Sequence, residues 1–193
     1  MLPTATEALE QPLPRPRRDL LGYASARALE ALLEALLALR FLKEGFTRNA
    51  AGKAFQAWRA LTGALLALER DKIIERLESK EQRRWLEGVG IPRVPSSRLK
   101  VLGQLLDEVG YRDYTHYTST ALSLHDYQYH GPDPAGELSK YTTREEAAQD
   151  IVYLLARLAE IAEEKVKPRL EEKRLWSREH QEALERLKAA TSS

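Results

Sequence analysis

The sequence predicts an all-α protein, folded as an up-and-down antiparallel helix bundle with an extra C-terminal helix. Three observations favour this fold class. Apolar residues recur at helical spacing over several long segments, no segment shows the alternation of a strand, and short stretches rich in glycine and proline separate the helical segments. A chain of 193 residues is also long enough to bury a sizeable core as one domain.

Composition and charge limit the classes of function. The chain has no cysteine, so it has neither disulfides nor a thiolate nucleophile. Its 30 basic and 29 acidic residues nearly cancel, so nucleic-acid binding would need a local basic face. No apolar run is long enough to span a membrane and no secretory signal is recognisable, which predicts a cytoplasmic protein without a membrane partner. Abundant arginine, leucine and glutamate with little methionine are typical of a thermophilic source.

Three segments are expected along the chain. Residues 1–18 contain four of the nine prolines and are predicted to form an extended, mobile arm, because proline lacks an amide donor and disfavours helix. Residues 19–168 are predicted to form the helical bundle domain. Residues 169–193 are predicted to form a charged C-terminal helical segment with nearly balanced signs of charge.

The first two long helices are predicted from their caps and their apolar spacing. Asp19 precedes the first helix as an N-cap, Gly45 ends it, and its wide apolar surface suggests the central position in the bundle. Thr47 is expected to cap the second helix, which continues to about residue 77. Alanines along its side allow a neighbouring helix to approach closely, while Phe55 and Trp58 are expected to fill the wider part of the contact.

The middle of the chain contains three shorter helical segments. Residues 79–90 form the first, and Pro92 prevents its continuation. Ser97 is expected to cap the next helix, which Gly110 closes. Residues 111–129 are expected to form the third.

The last part of the chain is predicted to be one long helix followed by a charged segment. A capping box of Thr143 and Glu146 is expected to begin the helix, which has a single apolar stripe. Pro168 is expected to kink or end it. Residues 171–190 are interpreted as a solvated face or as an arm that docks a partner.

The start of the second helix carries the first candidate binding residues. Arg48, Asn49 and Lys53 lie in its first two turns, beside Gly52. Because a helix N-terminus with nearby cations favours a phosphate group, these three residues are candidate ligand-binding residues. The alternative, which the sequence favours, is close packing plus solvated charge, since the stretch lacks the upstream glycine and preceding strand of a Walker-type phosphate loop.

The stretch FLKEGFTRNAAGKAFQAWRALTGALLALE, residues 41–69, resembles the signature helix pair of the archaeal PaREP family. The wider arrangement, over about residues 25–160, resembles the HEPN superfamily of four-helix bundles, which has an aromatic-rich second helix. The positions that match are Arg48, Ala50, Lys53, Ala54, Phe55 and Ala57. Gln56 and Leu61 depart from the pattern. The resemblance implies a bundle, a homodimer and, for many HEPN members, RNA cleavage, whereas PaREP members are largely without assigned function.

HEPN ribonucleases carry an arginine followed, after four to six residues, by a histidine. The histidine serves as general base while the arginine holds the scissile phosphate. His125 stands in the place of that histidine, but residues 118–120, at the three permitted spacings, contain no arginine. One formal match, Arg174 with His180, lies in the charged C-terminal segment and is expected by chance.

Three of the four histidines and six of the eight tyrosines lie within residues 111–141. One hypothesis is a site where tyrosine rings stack on bases while His125 and Asp126 supply polar contacts. The other, which is favoured, is that these side chains straddle a core edge or a dimer interface with their polar ends in water, and of these two the dimer interface is the one expected. The histidines lack the spacing of a metal site, so neither a metal nor a cofactor is expected.

These patterns favour a binding or interaction module that forms a homodimer, with RNA or a nucleotide as the candidate ligand. The first alternative is a metal-independent endoribonuclease in which His125 works with Arg48. The second is a purely structural protein of a dimeric assembly. The sequence does not decide whether the protein is an enzyme.

Overall fold

The computed structural model describes residues 5–192, and every regular element in that range is helical, which confirms the all-α class. Two five-residue π-helical turns, Leu86–Gly90 and Ala162–Val166, and a 3₁₀ turn, Ser96–Arg98, lie between α-helices. The α-helices are α1 (Ala5–Leu9), α2 (Leu20–Lys43), α3 (Thr47–Leu68), α4 (Arg70–Arg76), α5 (Lys80–Trp85), α6 (Ile91–Arg93), α7 (Leu99–Glu108), α8 (Tyr114–His130), α9 (Arg144–Ile161), α10 (Lys167–Glu172) and α11 (Arg178–Thr191).

The long helices α2, α3, α8 and α9 form an up-and-down bundle, as predicted. A short turn makes α2 and α3 antiparallel neighbours. Arg48 bonds to the last turn of α8 and Thr62 to Tyr114 in its first turn, so α3 and α8 run in opposite directions. Arg144, at the start of α9, reaches the Gly45 carbonyl just before α3, and Arg169, beyond the end of α9, bonds to the Leu68 carbonyl at the end of α3. Helix α9 therefore runs parallel to α3.

The central helix is α3, and the expectation that the first long helix is central was wrong. Of the 22 residues of α3, 17 are buried, because its many alanines and glycines let neighbouring helices approach it from several sides. In α2, 10 of 24 residues are buried. Phe55 and Trp58 are inward-facing, as predicted, with 1% and 0% of their surface exposed.

A group of hydrogen-bonded polar side chains lies inside the contact between α3 and α8. The Trp58 indole N–H donates to the Thr118 hydroxyl at 3.0 Å. The Thr62 hydroxyl lies 2.8 Å from the Tyr114 hydroxyl and donates to the Trp58 carbonyl. The Trp58 and Tyr114 rings stack with centroids 4.6 Å apart. Each buried polar side-chain atom of this group therefore has a partner.

Some predicted helix caps are confirmed and one is replaced. Asp19 accepts a hydrogen bond from the Gly22 amide, and the capping box of Thr143 and Glu146 is present. Ser97, by contrast, lies inside the 3₁₀ turn, and α7 begins only at residue 99. The tighter turn places the first α-helical residue beyond Ser97, so Ser97 does not cap the helix.

Two prolines lie within helical structure, although Pro92 was expected to prevent helix continuation and Pro168 was expected to kink or end its helix. Pro92 and Pro168 each lie in the first turn of the α-helical segment that follows a π-helical turn. The wider π turn absorbs the missing amide and the clash of the proline ring, so helical structure continues to Glu172. The second long helix is shorter than predicted, because α3 ends at residue 68 and α4 follows as a separate segment.

The described part of residues 1–18 departs from the extended conformation that was expected. Ala5–Leu9 forms α1, since alanine, glutamate and leucine are strong helix formers. Residues 1–4 and 193 lie outside the described range. At the other end, α11 packs on α2 and α9, and the His180 ring bonds to the Ser25 carbonyl at 2.9 Å.

Candidate functional site

The turn between α2 and α3 determines how α3 begins. Gly45 has a φ of +85°, and its amide donates to the Leu42 carbonyl while the Phe46 amide donates to the Phe41 carbonyl. The rings of Phe41 and Phe46 meet edge to face with centroids 6.5 Å apart. This is a Schellman ending of α2 with its apolar contact, and it places Phe46 at the N-cap of α3.

Helix α3 consequently begins without a side-chain cap. The Phe46 ring cannot accept a hydrogen bond, and Thr47 lies one position further on as the first helical residue, so its predicted capping role was wrong. The first bond within the helix joins the Ala50 amide to the Phe46 carbonyl at 2.9 Å. Within the described chain, no group accepts from the amides of residues 47–49. These amides form the positive end of a 22-residue helix.

The Thr47 side chain adds a further polar group at this helix end. Only 6% of Thr47 is exposed, and its Oγ1 has no hydrogen-bond partner among the described residues. Burying a hydroxyl without a partner costs about 1–3 kcal/mol. The Thr47 hydroxyl is therefore an unused hydrogen-bond donor and acceptor at the start of α3.

A surface pocket of about 300 Å³ opens at this point. Its walls come from the α2–α3 turn, the end of α8 and the start of α9: Gly45, Phe46, Thr47, Arg48, Asn49, Tyr127, Pro132 and Arg144. The only charged residues among them are two arginines, so the pocket, which we call the α3 pocket, is electropositive.

Both arginines of the α3 pocket are positioned by backbone carbonyls. The Arg48 Nε donates to the Gln128 carbonyl at 2.9 Å and its Nη2 to the Tyr129 carbonyl at 2.5 Å. A cation at the negative end of α8 is favourable, and Arg48 keeps further N–H groups for a ligand. Arg144 approaches the Gly45 carbonyl at 3.4 Å and is paired only loosely with its neighbour Glu145, at 3.6 Å.

Tyr127 forms a buried wall of the α3 pocket, with 1% of its surface exposed. Burial raises the pKa of Tyr127, although the charges of Arg144 and Arg48 oppose the shift. The hydroxyl is therefore protonated at neutral pH. It contributes no negative charge that would repel an anion.

The five predicted binding residues do not share one site in the structure; they are Arg48, Asn49, Lys53, His125 and Asp126. Arg48 and Asn49 line the α3 pocket. Lys53 instead pairs with Glu34 of α2 at 2.9 Å. Five residues along a helix correspond to a rotation of about 140°, so Lys53 points away from the face that carries Arg48.

His125 lies further along the contact between α3 and α8. Its ring stacks on Phe55 with centroids 4.1 Å apart and meets the Tyr129 ring edge to face at 5.3 Å. The ring is half-buried, and its Nδ1 has no partner among the described residues. Asp126, the adjacent residue, is exposed. Sequence reasoning thus placed Arg48 and Asn49 at one site, but Lys53, His125 and Asp126 do not line it.

Three residues at positions tested for the nuclease motif have structural roles. Thr118 is buried and bonded to Trp58, while the Ser119 hydroxyl bonds to the carbonyl of Thr115 at 3.0 Å. His180 is buried, and desolvation lowers its pKa. Its Nδ1 accepts from the Ser177 amide at 3.2 Å as part of a helix cap.

The tyrosine-rich segment mostly forms a core edge. Four of its six tyrosines are buried with partners for their rings or hydroxyls, and they are Tyr111, Tyr114, Tyr127 and Tyr141. Tyr141 donates to Asp150 at 2.7 Å, and Tyr111 donates to Glu69 at 2.9 Å. These four residues therefore belong to the core, but the expectation that their polar ends lie in water was wrong for Tyr111, Tyr114 and Tyr141, whose hydroxyls bond to protein groups.

Sequence reasoning missed three contributors to the α3 pocket. Phe46 could have been recognised from the pairing of Phe41, Gly45 and Phe46 that is typical of a Schellman ending. Arg144 and Tyr127 gave no local signal, since they reach the pocket only through the packing of α8 and α9 on α3.

Two further observations concern the described part of the chain. Residues 5–192 contain no group of three or more histidine, aspartate or glutamate side chains able to hold a metal ion. None of the helices in this range has both the length and the apolar character needed to cross a membrane.

Fold and pocket together define a helical-bundle protein with an electropositive pocket at the start of its central helix. The chain belongs to the archaeal PaREP1/PaREP8 family, whose sequence profile matches residues 26–152. The matched region begins within α2 and ends within α9, so it includes the α2–α3 turn and Arg144. Searches of curated proteins and of solved structures gave no match to the chain.

Proposed function

We propose that the protein is a binding module that holds a phosphate-bearing ligand of the nucleotide class in the α3 pocket. The observation that carries the proposal is the buried Thr47 hydroxyl without a partner, located beside three free backbone amides. Phosphate oxygens accept hydrogen bonds from amides and hydroxyls, and a helix N-terminus favours negative charge. A bound phosphate would satisfy these groups together.

The charges of the pocket support an anionic ligand. Arg48 and Arg144 line it, and no acidic residue does. Arginine is well suited to phosphate because its planar guanidinium group offers parallel donors. Each charge-assisted hydrogen bond contributes about 1.5–3 kcal/mol.

Phe46 supports the nucleotide class over free phosphate. Its ring lines the pocket and is 56% exposed, although the helix termini on both sides hold its backbone in place. Nucleobases stack on exposed aromatic rings, with about 1–3 kcal/mol per base. A pocket of about 300 Å³ is at the small end of the range for ligand sites, which suits one nucleotide unit.

The experiment compares AMP, adenosine and inorganic phosphate by isothermal titration calorimetry on the full chain. We expect AMP to bind, adenosine to bind at least about tenfold more weakly, and Arg144→Ala to weaken AMP binding at least about tenfold. Phe46→Ala should weaken AMP but leave inorganic phosphate within about twofold. Arg112→Ala is the matched control, because Arg112 is exposed and forms no ion pair with a described residue.

The proposal would be contradicted by equal binding of AMP and adenosine, or by equal effects of Arg144→Ala and Arg112→Ala. Equal binding would mean that the phosphate is not recognised. Equal effects would mean that only the overall charge matters.

A metal-independent endoribonuclease is the second proposal. His125 lies one helical turn before Tyr129, and the Tyr129 carbonyl bonds to Arg48. A general base and a cation therefore lie along the same contact between α3 and α8, which favours this proposal. The buried Nδ1 and the Phe55 ring stacked on one face restrict access to His125. RNA cleavage that is lost in His125→Ala would support this activity, and RNA that is bound but not cut would leave the binding role alone.

The homodimer also remains a proposal. Light scattering on the purified protein should give twice the chain mass of 22.0 kDa if it is correct. A single chain mass would exclude it at the concentration used.

A further inference from the structure

A second electropositive cleft lies at the other end of the bundle. It has a volume of about 540 Å³ and is bounded by residues 16–20 on one side and by α4, α5 and the π-helical turn on the other. Arg17, Arg70 and Arg84 line it together with one acid, Glu87. The walls between these charges are apolar and include Leu20. We call it the arginine cleft.

The arginines of this cleft differ in how they are neutralised. Arg70 bonds to Glu87 and, at 2.6 Å, to Asp71, so its charge is compensated. Arg17 and Arg84 are exposed and form no ion pair with any described residue. Two uncompensated guanidinium groups therefore face the same open cleft.

The surrounding sequence carries a local excess of positive charge that the whole-chain balance hides. Residues 11–18 contain three arginines and no acid, and residues 80–100 contain six basic and two acidic residues. These two segments thus have a net excess of seven positive charges, against +1 for the whole chain. The structure brings them together, since Arg17 from the first segment and Arg84 from the second line the same cleft.

The arginine cleft is separate from the α3 pocket. Arg70 follows directly after α3, whereas the α3 pocket lies at the start of that helix. A helix of 22 residues is about 33 Å long, so one ligand group cannot occupy both places. A ligand of the arginine cleft is therefore independent of the proposed function.

We propose that the arginine cleft binds the phosphodiester backbone of a nucleic-acid strand. Free guanidinium groups on either side of an open cleft suit a chain of phosphates that enters and leaves it. The apolar floor can accept the face of a base or sugar, while the excess of positive charge around the cleft attracts the strand from a distance. RNA and DNA strands both present this backbone.

The test measures fluorescence anisotropy of labelled oligouridylate and oligothymidylate strands, each of about 15 nucleotides, with the full chain over a range of salt concentrations. Arg17→Gln with Arg84→Gln removes both free charges, and Arg76→Gln with Arg112→Gln is the control with the same change in net charge. All four arginines are exposed and form no ion pair with a described residue, so neither double variant should disturb folding. Arg144→Ala reports on the α3 pocket in the same assay.

We expect both strands to bind the wild type, and the cleft variant to weaken binding at least about tenfold while the control stays within about twofold. The slope of log affinity against log salt should fall in magnitude by about 1.4 in the cleft variant, since each phosphate contact to a single strand contributes about 0.7. Binding unaffected by Arg144→Ala would separate this site from the α3 pocket. Equal losses in the two double variants, no binding of either strand by the wild type, or a loss in Arg144→Ala alone would overturn the proposal.

Discussion

Two buried threonines on the same helix should respond differently to the same substitution, since only one of them should lose stability. Thr47 and Thr62 both belong to α3, with 6% and 0% of their surface exposed. The Thr47 hydroxyl has no described partner, whereas the Thr62 hydroxyl bonds to the Trp58 carbonyl and the Tyr114 hydroxyl, each at 2.8 Å. Valine has nearly the shape of threonine and a similar helix propensity, so the substitution tests the hydroxyl alone.

The magnitudes follow from the cost of an unpaired buried polar group, which is about 1–3 kcal/mol. Thr47→Val removes such a group, so without an anion it should leave the free energy of unfolding unchanged or raise it by up to that amount. Thr62→Val should lower the free energy of unfolding by about 1–3 kcal/mol, because it leaves the Tyr114 hydroxyl unpaired in the core. Urea unfolding followed by circular dichroism, in buffer free of phosphate and sulfate, measures both values.

Added phosphate distinguishes a ligand site from a packing defect. A ligand at about 100 times its dissociation constant stabilises the folded state by about 2.7 kcal/mol. The wild type should gain stability from inorganic phosphate, and Thr47→Val should gain clearly less. If Thr47→Val lowers the free energy of unfolding by more than about 1 kcal/mol without phosphate, the hydroxyl has a structural partner and the reasoning for the α3 pocket is refuted.

Other buried groups give three further expectations, each measured by urea unfolding. Gly52→Ala should leave the free energy of unfolding nearly unchanged, because the new Cβ meets only the far end of the Gln128 side chain. Gly63→Ala should lower it by more than about 1 kcal/mol, because its Cβ would lie 2.8 Å from the Nε of the buried Arg27. Equal losses of stability in the two variants would contradict this. Burial alone would raise the pKa of Glu69, but hydrogen bonds and nearby cations lower it overall below the ordinary value of 4.5. The ionised Glu69 therefore contributes its full stabilisation of the folded state above about pH 4.5, and this contribution is lost as the pH falls through the lowered pKa. Glu69→Gln should therefore show a weaker loss of stability in acid than the wild type. Burial lowers the pKa of His180 below 6.5, so stability should fall as the pH drops below about 6.5, and His180→Gln should abolish that part of the pH dependence.

The helical spacing of the sequence predicted what depends on local periodicity. Phe55 and Trp58 lie where a 3.6-residue repeat places them, and Asp19 caps α2 because its side chain acts within one turn. Thr47 is also a residue type that commonly caps helices, yet it does not cap α3. The apolar contact of Phe41 with Phe46 moves the start of α3 by one residue, a competition that composition alone does not rank.

The candidate site was predictable only in part, for a geometric reason. The start of the helix predicts Arg48 and Asn49 as pocket residues. Lys53 could have been excluded from the pocket, because it is rotated by about 140° around the helix from Arg48. Arg144 comes from 99 residues beyond Gly45, and only the packing of α9 brings it there. The arginine cleft was hidden for the same reason, since two basic segments remote in sequence had to meet.

The polar group around Trp58 determines how α3 and α8 align along their length. A slip by one turn, about 5.4 Å, would keep most of the apolar burial of these alanine-rich surfaces. It would also carry the indole N–H past Thr118 and leave the hydroxyls of Thr62 and Tyr114 facing hydrocarbon. Only one axial setting is therefore permitted, and that setting brings the Arg48 guanidinium to the last carbonyls of α8. The hydrogen bonds of the core around Trp58 thus determine where the arginine of the α3 pocket lies.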